Sequence, residues 1–225
     1  MKMEESDNEE QMKKKAIKVI TFPVPFASIE TKEYISTPSK YSKEKIINEA
    51  LKFHSQGNLS EATKYYEYFI NQGFKDHRAF SNYGAILADT GNLNEAEIYI
   101  KEAIKLHPNN SNDHKNLGMI LIKKGQLYEA KEATEKAIVL DTNNEKAYLN
   151  LGVIFKYMGQ VNEAEIPTRK AIEIKPDFTE AHSNLGNIFR EIGKLQEAVL
   201  SFRKAIEINP HFAKSHFNLA NIFID

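Results

Sequence analysis

The residue type that recurs with the strictest spacing in this chain is asparagine. Asn48, Asn82, Asn116, Asn150, Asn184 and Asn218 follow one another at intervals of 34 residues. A side-chain amide offers two N–H donors and an acceptor oxygen, so one asparagine can pair with both the C=O and the N–H of a passing peptide unit. Each such bond contributes about 0.5–1.5 kcal/mol net, and a row of them would hold an extended chain with little regard to its sequence. Flanking positions serve as a control for recent duplication. The position before each asparagine reads Ile47, Ser81, Lys115, Leu149, Ser183 and Phe217, and the position three after it reads Leu51, Ala85, Met119, Val153, Asn187 and Asn221. Those columns have scattered while the asparagine has not. Two readings stand open: the amides bind a peptide, or they bond neighbouring segments of the chain and fix their spacing.

Other chemistry is scarce. The sequence contains no Gly-rich phosphate loop, no His-Glu-x-x-His and no Gly-x-Ser-x-Gly, and with no cysteine it has neither thiolate ligands nor a cysteine nucleophile. Of the seven histidines, His114, His182 and His216 share one phase of the 34-residue period, where Phe80 and Tyr148 stand in other copies. They are expected to pack as aromatics, because equivalent side chains on neighbouring helices lie roughly 10 Å apart, too far for shared ligation. The chain is therefore read as non-catalytic, with no metal and no cofactor.

The elements that must carry the asparagines follow from the same period. Gly57, Gly91, Gly125, Gly159 and Gly193 form one series, and Gly84, Gly118, Gly152 and Gly186 a second. Ala62, Ala96, Ala130, Ala164 and Ala198 form a third, and Ala103, Ala137, Ala171 and Ala205 a fourth. Apolar residues recur at three and four, so each copy reads as two helices. The Gly193 series ends the first helix, where a left-handed backbone suits glycine. The Gly186 series falls inside a helix, where glycine costs about 0.8–1.0 kcal/mol relative to alanine. Close approach of a second helix, with Ala198 opposite, is the expected compensation. Pro108, Pro176 and Pro210 close three copies. No helix pair of this kind buries its apolar face alone, so the copies must stack.

The pattern of Leu-Gly, Glu-Ala, Ala and a closing Pro resembles the tetratricopeptide repeat family. The resemblance covers residues 43–225: copies 43–76, 77–110, 111–144, 145–178 and 179–212, with a partial copy at 213–225. It implies an all-α fold, a right-handed superhelix of five helix-turn-helix repeats plus a final single helix, with a concave groove lined by the first helices. The asparagine column is similar to the ladder in the repeat arm of O-linked N-acetylglucosamine transferases, which implies peptide-backbone binding at these six positions. Lys115, Lys156 and Asn187 join them as candidate peptide contacts, on a groove whose middle carries Lys115, Lys123, Lys146, Lys156 and Arg190 against Asp89, Glu180 and Glu191. A Lys/Asn clamp for a terminal carboxylate is not formed by any pair one turn apart.

Departures from the repeat are concentrated in three places. In the first copy Ala50 replaces Gly, Phe69 replaces Ala and Phe74 replaces Pro. Pro167 falls inside the second helix of the fourth copy, where a kink on the outer layer is expected. The last copy supplies one helix, so Ala220 and Phe223 lack their usual cover, and this end is a candidate surface for self-association. Residues 1–42 read as a disordered or extended leader: a mixed-charge run to Lys15, then Ala16 to Phe26 with two prolines.

The formal net charge of −1 over 225 residues argues against a general nucleic-acid binder, which needs a basic surface to displace counterions. No apolar run reaches the roughly 18 residues of a membrane span, the N-terminus lacks the apolar centre of a signal peptide, and the absence of cysteine suits a cytoplasmic location. The function expected is a protein–protein interaction scaffold that binds extended peptide segments, with a protein or peptide as partner and neither nucleic acid nor membrane. The alternative is the repeat arm of a glycosyl- or sulfotransferase-like enzyme whose catalytic domain lies outside this chain.

Overall fold

A computed structural model describes residues 42–223, and the leader expected at 1–42 lies almost wholly outside them. The described residues form helices joined by short turns. Their order is α1 (Lys43–Ser55), α2 (Leu59–Asn71), α3 (His77–Asp89), α4 (Leu93–Leu106), α5 (Ser111–Lys123), α6 (Leu127–Leu140), α7 (Glu145–Tyr157), α8 (Val161–Ile174), α9 (Thr179–Glu191), α10 (Leu195–Ile208) and α11 (Ala213–Ile222). They pair as α1/α2 through α9/α10, with α11 opening a sixth copy. This is the all-helical stack of five pairs and a final helix expected from the period.

Local chemistry sets the boundaries. Oxygen-bearing side chains cap several helices: the Asp76 carboxylate accepts from Arg78 N–H at 3.0 Å, and the Asn144 carbonyl accepts from Ala147 N–H at 3.0 Å. The first helix of each of the five pairs stops at a glycine with positive φ, from 74° at Gly57 to 88° at Gly91, a conformation that a Cβ would oppose. The second helix starts two residues later, too soon for anything but an antiparallel hairpin.

The alanine columns at Ala96, Ala130, Ala164 and Ala198 and at Ala103, Ala137, Ala171 and Ala205 are fully buried. The mid-helix glycines do allow close approach, but the side chain they meet differs from expectation. A Cβ at Gly186 would lie 2.6 Å from the Phe202 ring and one at Gly84 would lie 2.9 Å from Ile100, while Gly118 and Gly152 face the hydroxyls of Thr134 and Thr168. The partner is thus one turn beyond the alanine. The alanine backbone still borders the site, with the Ala164 carbonyl 3.2 Å from a Cβ at Gly152. Phenylalanine, isoleucine and threonine all use one slot, which the glycine keeps open.

Pro167 sits inside a continuous helix. Helix α8 runs without interruption from Val161 to Ile174, and the proline side chain is buried within it. Its phase is shared by Tyr99, Ala133 and Ser201. The Glu163 carbonyl that loses its i+4 donor belongs to an exposed first-turn residue, where solvent can replace the bond. In the first copy, Phe69 and Tyr66 are fully buried, and the Phe69 ring lies 5.3 Å from that of Phe74. The substituted aromatics therefore fill the space that smaller residues and the proline occupy in later copies.

From α3 onward, each first helix touches the first helix of the next copy, α3 to α5, α5 to α7, α7 to α9 and α9 to α11. The second helices make no comparable contact with one another among the described residues. The row of first helices is therefore the more closely spaced row, and the stack curves toward it. That places the asparagine column on the inner, concave row.

Candidate functional site

Each asparagine sits mid-way along a first helix, two residues before the mid-helix glycine position, but the six do not share one environment. Asn48 is exposed, Asn82, Asn116, Asn150 and Asn184 are half-buried, and Asn218 is buried. Asn82 lies beside the buried Tyr66 of the preceding copy, whose hydroxyl meets His54 Nδ1 at 3.1 Å. Asn150 donates from Nδ2 to the Lys115 carbonyl at 3.4 Å, and Asn218 donates from Nδ2 to Asn187 Oδ1 at 2.9 Å. Among the described residues, Asn48, Asn116 and Asn184 have no side-chain hydrogen bond. The amides thus differ: those of the fourth and sixth copies tie down the copy before them, that of the second lies beside Tyr66, and those of the first, third and fifth remain available. The two readings of the column divide along it.

The other candidate contacts are also partly committed. Asn187 is 6% exposed and spends its oxygen on Asn218, so it acts as a spacer between α9 and α11. Lys156 pairs with Glu191 of the next copy at 3.2 Å and lies 5.6 Å from the centre of the Tyr157 ring. Lys123 donates to the Ala88 carbonyl of the previous copy at 2.9 Å. Lys115 is half-buried and donates to Asn112 Oδ1 at 3.3 Å. Burial, and then the neighbouring Lys146 ammonium, push its pKa below the ordinary lysine value. No carboxylate among the described residues forms an ion pair with Lys115.

The three in-phase histidines are not aromatic packing residues. Each is six residues beyond a proline: Nε2 of His114, His182 and His216 lies 2.8, 2.9 and 2.8 Å from the carbonyls of Pro108, Pro176 and Pro210. A carbonyl oxygen only accepts, so Nε2 carries the hydrogen in all three. The imidazole closes the loop between copies.

Two features were not anticipated. Asp113 is fully buried at a phase where Ala79, Ala147 and Ala181 stand in other copies. The Ser81 hydroxyl donates to its Oδ1 in a short contact, while Oδ2 is buried without a partner among the described residues. Burial pushes this carboxyl above the usual range, against the opposing pull of Ser81, His77, His114 and His107. The break in the alanine column was the available signal. The second is a recess of about 200 Å³ beside Asn184, bordered by Val153, Lys156, Tyr157, Glu180, Phe212 and Lys214. Its residues come from α7, α9, the N-cap of α11 and α11 itself, and no single copy contains the set.

Comparison with known proteins decides the family. Tetratricopeptide repeat models match residues 77–110, 99–132 and 145–178, and a TPR repeat model matches 186–224. The chain carries tetratricopeptide repeats. The tetratricopeptide array superposes on TTC0263, a thermophilic TPR protein of Thermus thermophilus, with a TM-score of 0.68 at 18% identity, covering 82% of this chain and 100% of that one. MamA aligns with a TM-score of 0.61 at 27% identity, covering 73% and 96%. YrrB, a TPR protein with an unusual peptide-binding site, aligns with a TM-score of 0.60 at 22% identity, covering 78% and 91%. A search of curated protein sequences finds no match. Among the described residues, no helix of the tetratricopeptide array is long and apolar enough to cross a membrane, and no cluster of three or more His, Asp or Glu residues is arranged to hold a metal.

Proposed function

We propose that the array is a non-catalytic interaction scaffold that binds an extended peptide segment along the row of first helices. The observation that carries this reading is the set of unspent amides at Asn48, Asn116 and Asn184, set on the inner row at equal intervals. At Asn116 and Asn184 a half-buried amide without an internal partner forgoes part of its hydrogen bonding to water unless a ligand supplies it, and an extended backbone presents the matching C=O and N–H groups. Lys115, beside Asn116 and without a carboxylate partner, adds attraction for acidic or mixed-charge segments. The commitment of Asn150 and Asn218 to neighbouring copies favours attachment at separate points over the unbroken ladder of the transferase arms.

The test replaces Asn116 and Asn184 together with Ala, and separately Asn150 and Asn218, and measures the affinity of a captured partner segment by calorimetry. The first pair should weaken binding by roughly 10-fold, at about 0.7 kcal/mol per bond, with the helical signal unchanged. The second pair should instead lower thermal stability. Unchanged affinity in the first variant, with the fold intact, would remove the proposal.

A further inference from the structure

The recess beside Asn184 has a composition of its own. At about 200 Å³ it is smaller than the ~300–1,000 Å³ pockets that enclose whole small molecules, and its size suits one large side chain. Its walls are apolar or aromatic at Val153, Tyr157 and Phe212, with Tyr157 60% exposed. Lys214 brings positive charge to it and Glu180 negative charge, while the Lys156 charge is already paired with Glu191. Any charged guest therefore meets a like charge, which disfavours both acidic and basic side chains. The half-buried Asn184 amide, with no side-chain hydrogen bond among the described residues, supplies a donor and an acceptor.

We propose that this recess is a specificity pocket for a single tyrosine side chain of a peptide lying along the first helices, an inference that rests on the groove reading above. A tyrosine ring packs against Tyr157 and Phe212, where offset or edge-on contacts are favourable. Lys156 and Lys214 line the pocket, and a nearby ammonium favours an aromatic face over an aliphatic one. The phenol donates to Asn184 Oδ1 or accepts from Nδ2. A large neutral residue with a polar tip satisfies all of these at once. Phenylalanine leaves the amide unpaired, and alanine leaves the pocket unfilled.

The experiment uses the full chain and four nonapeptides of Gly, Ser and Ala that differ only in a central Tyr, Phe, Ala or Asp. Affinity is measured by calorimetry, and the site is located by nuclear magnetic resonance on the Asn184 side-chain amide. The Tyr peptide should bind roughly 10-fold more tightly than the Ala peptide and about 3-fold more tightly than the Phe peptide, and it should shift the Asn184 amide. Tyr157→Ala, at an exposed position, should remove the preference over Ala without loss of helicity. Asn184→Ala should erase the difference between Tyr and Phe. Equal affinity for the Tyr and Ala peptides, or tightest binding of the Asp peptide, overturns the pocket while leaving the groove standing. If no peptide shifts any residue of the first-helix row, the groove reading fails and the pocket falls with it.

Discussion

Replacing Asp113 by Ala should make the protein more stable at neutral pH. The carboxylate is fully buried, one oxygen has no partner among the described residues, and only the Ser81 hydroxyl bonds the other. A buried polar atom without a partner costs about 1–3 kcal/mol, and a charged one costs more. Alanine already occupies this phase at Ala79, Ala147 and Ala181, each fully buried, so the packing tolerates the smaller residue. Half-buried Ser81 can turn to water, which limits its loss to about 0.5–1.5 kcal/mol. The net gain is therefore about 1–2 kcal/mol at pH 8. The sign of the pH dependence follows from the raised carboxyl pKa. The folded chain holds the Asp113 proton more tightly than the unfolded chain. Its contribution is most favourable below the ordinary carboxylate pKa and is lost as pH rises through the elevated value. The variant lacks this group, so the gap between the two proteins should widen from pH 4 to pH 8. Circular dichroism melts across that range measure the gap, and hydrogen exchange in α3 and α5 locates it. A variant less stable than the parent at pH 8, or a gap that stays constant with pH, would refute the reasoning.

Two further outcomes test the fold. Gly186→Ala gains about 0.8–1.0 kcal/mol of helix propensity, but its Cβ would meet the fully buried Phe202 ring at 2.6 Å. Overpacking of this kind costs about 1–3 kcal/mol, so a net loss of about 1 kcal/mol should appear as a lower guanidinium midpoint. For the loop histidines, nitrogen-15 spectra at neutral pH should show the Nε2–H tautomer of His114, His182 and His216. The Nδ1–H tautomer at any of them would contradict the bond to the proline carbonyl.

The helix order was legible because two residue types leave little choice. A glycine every 34 residues at a left-handed turn and buried alanines in register define the hairpin and the stack without reference to their neighbours. What was not legible depends on residues that meet across copies. The sequence placed Ala198 opposite Gly186, whereas the closest side chain is Phe202, because the crossing of the two helices favours the position one turn later. Pro167 falls in the outer row as its copy implies, but the burial of its side chain depends on neighbours that the local sequence does not show. The asparagine column looked uniform because only the distant partners, Tyr66, Lys115 and Asn187, separate one amide from the next. The histidine phase looked aromatic because the carbonyl that receives each ring lies in the preceding turn, and a carbonyl has no letter in the sequence.

The alternation of the asparagines amounts to a ruler. Packed helices sit roughly 8–10 Å apart, and a repeat contributes two of them but only one to the inner row. Successive first helices that touch therefore advance by about 10 Å, and available amides in every second copy by about 20 Å. An extended chain rises about 3.3 Å per residue, so consecutive amides address positions about six residues apart. An even interval returns to the same side of an extended strand, because side chains alternate with a period of two. A bound segment would offer the same edge to Asn116 and Asn184, leaving its opposite edge turned outward and open to a second reader.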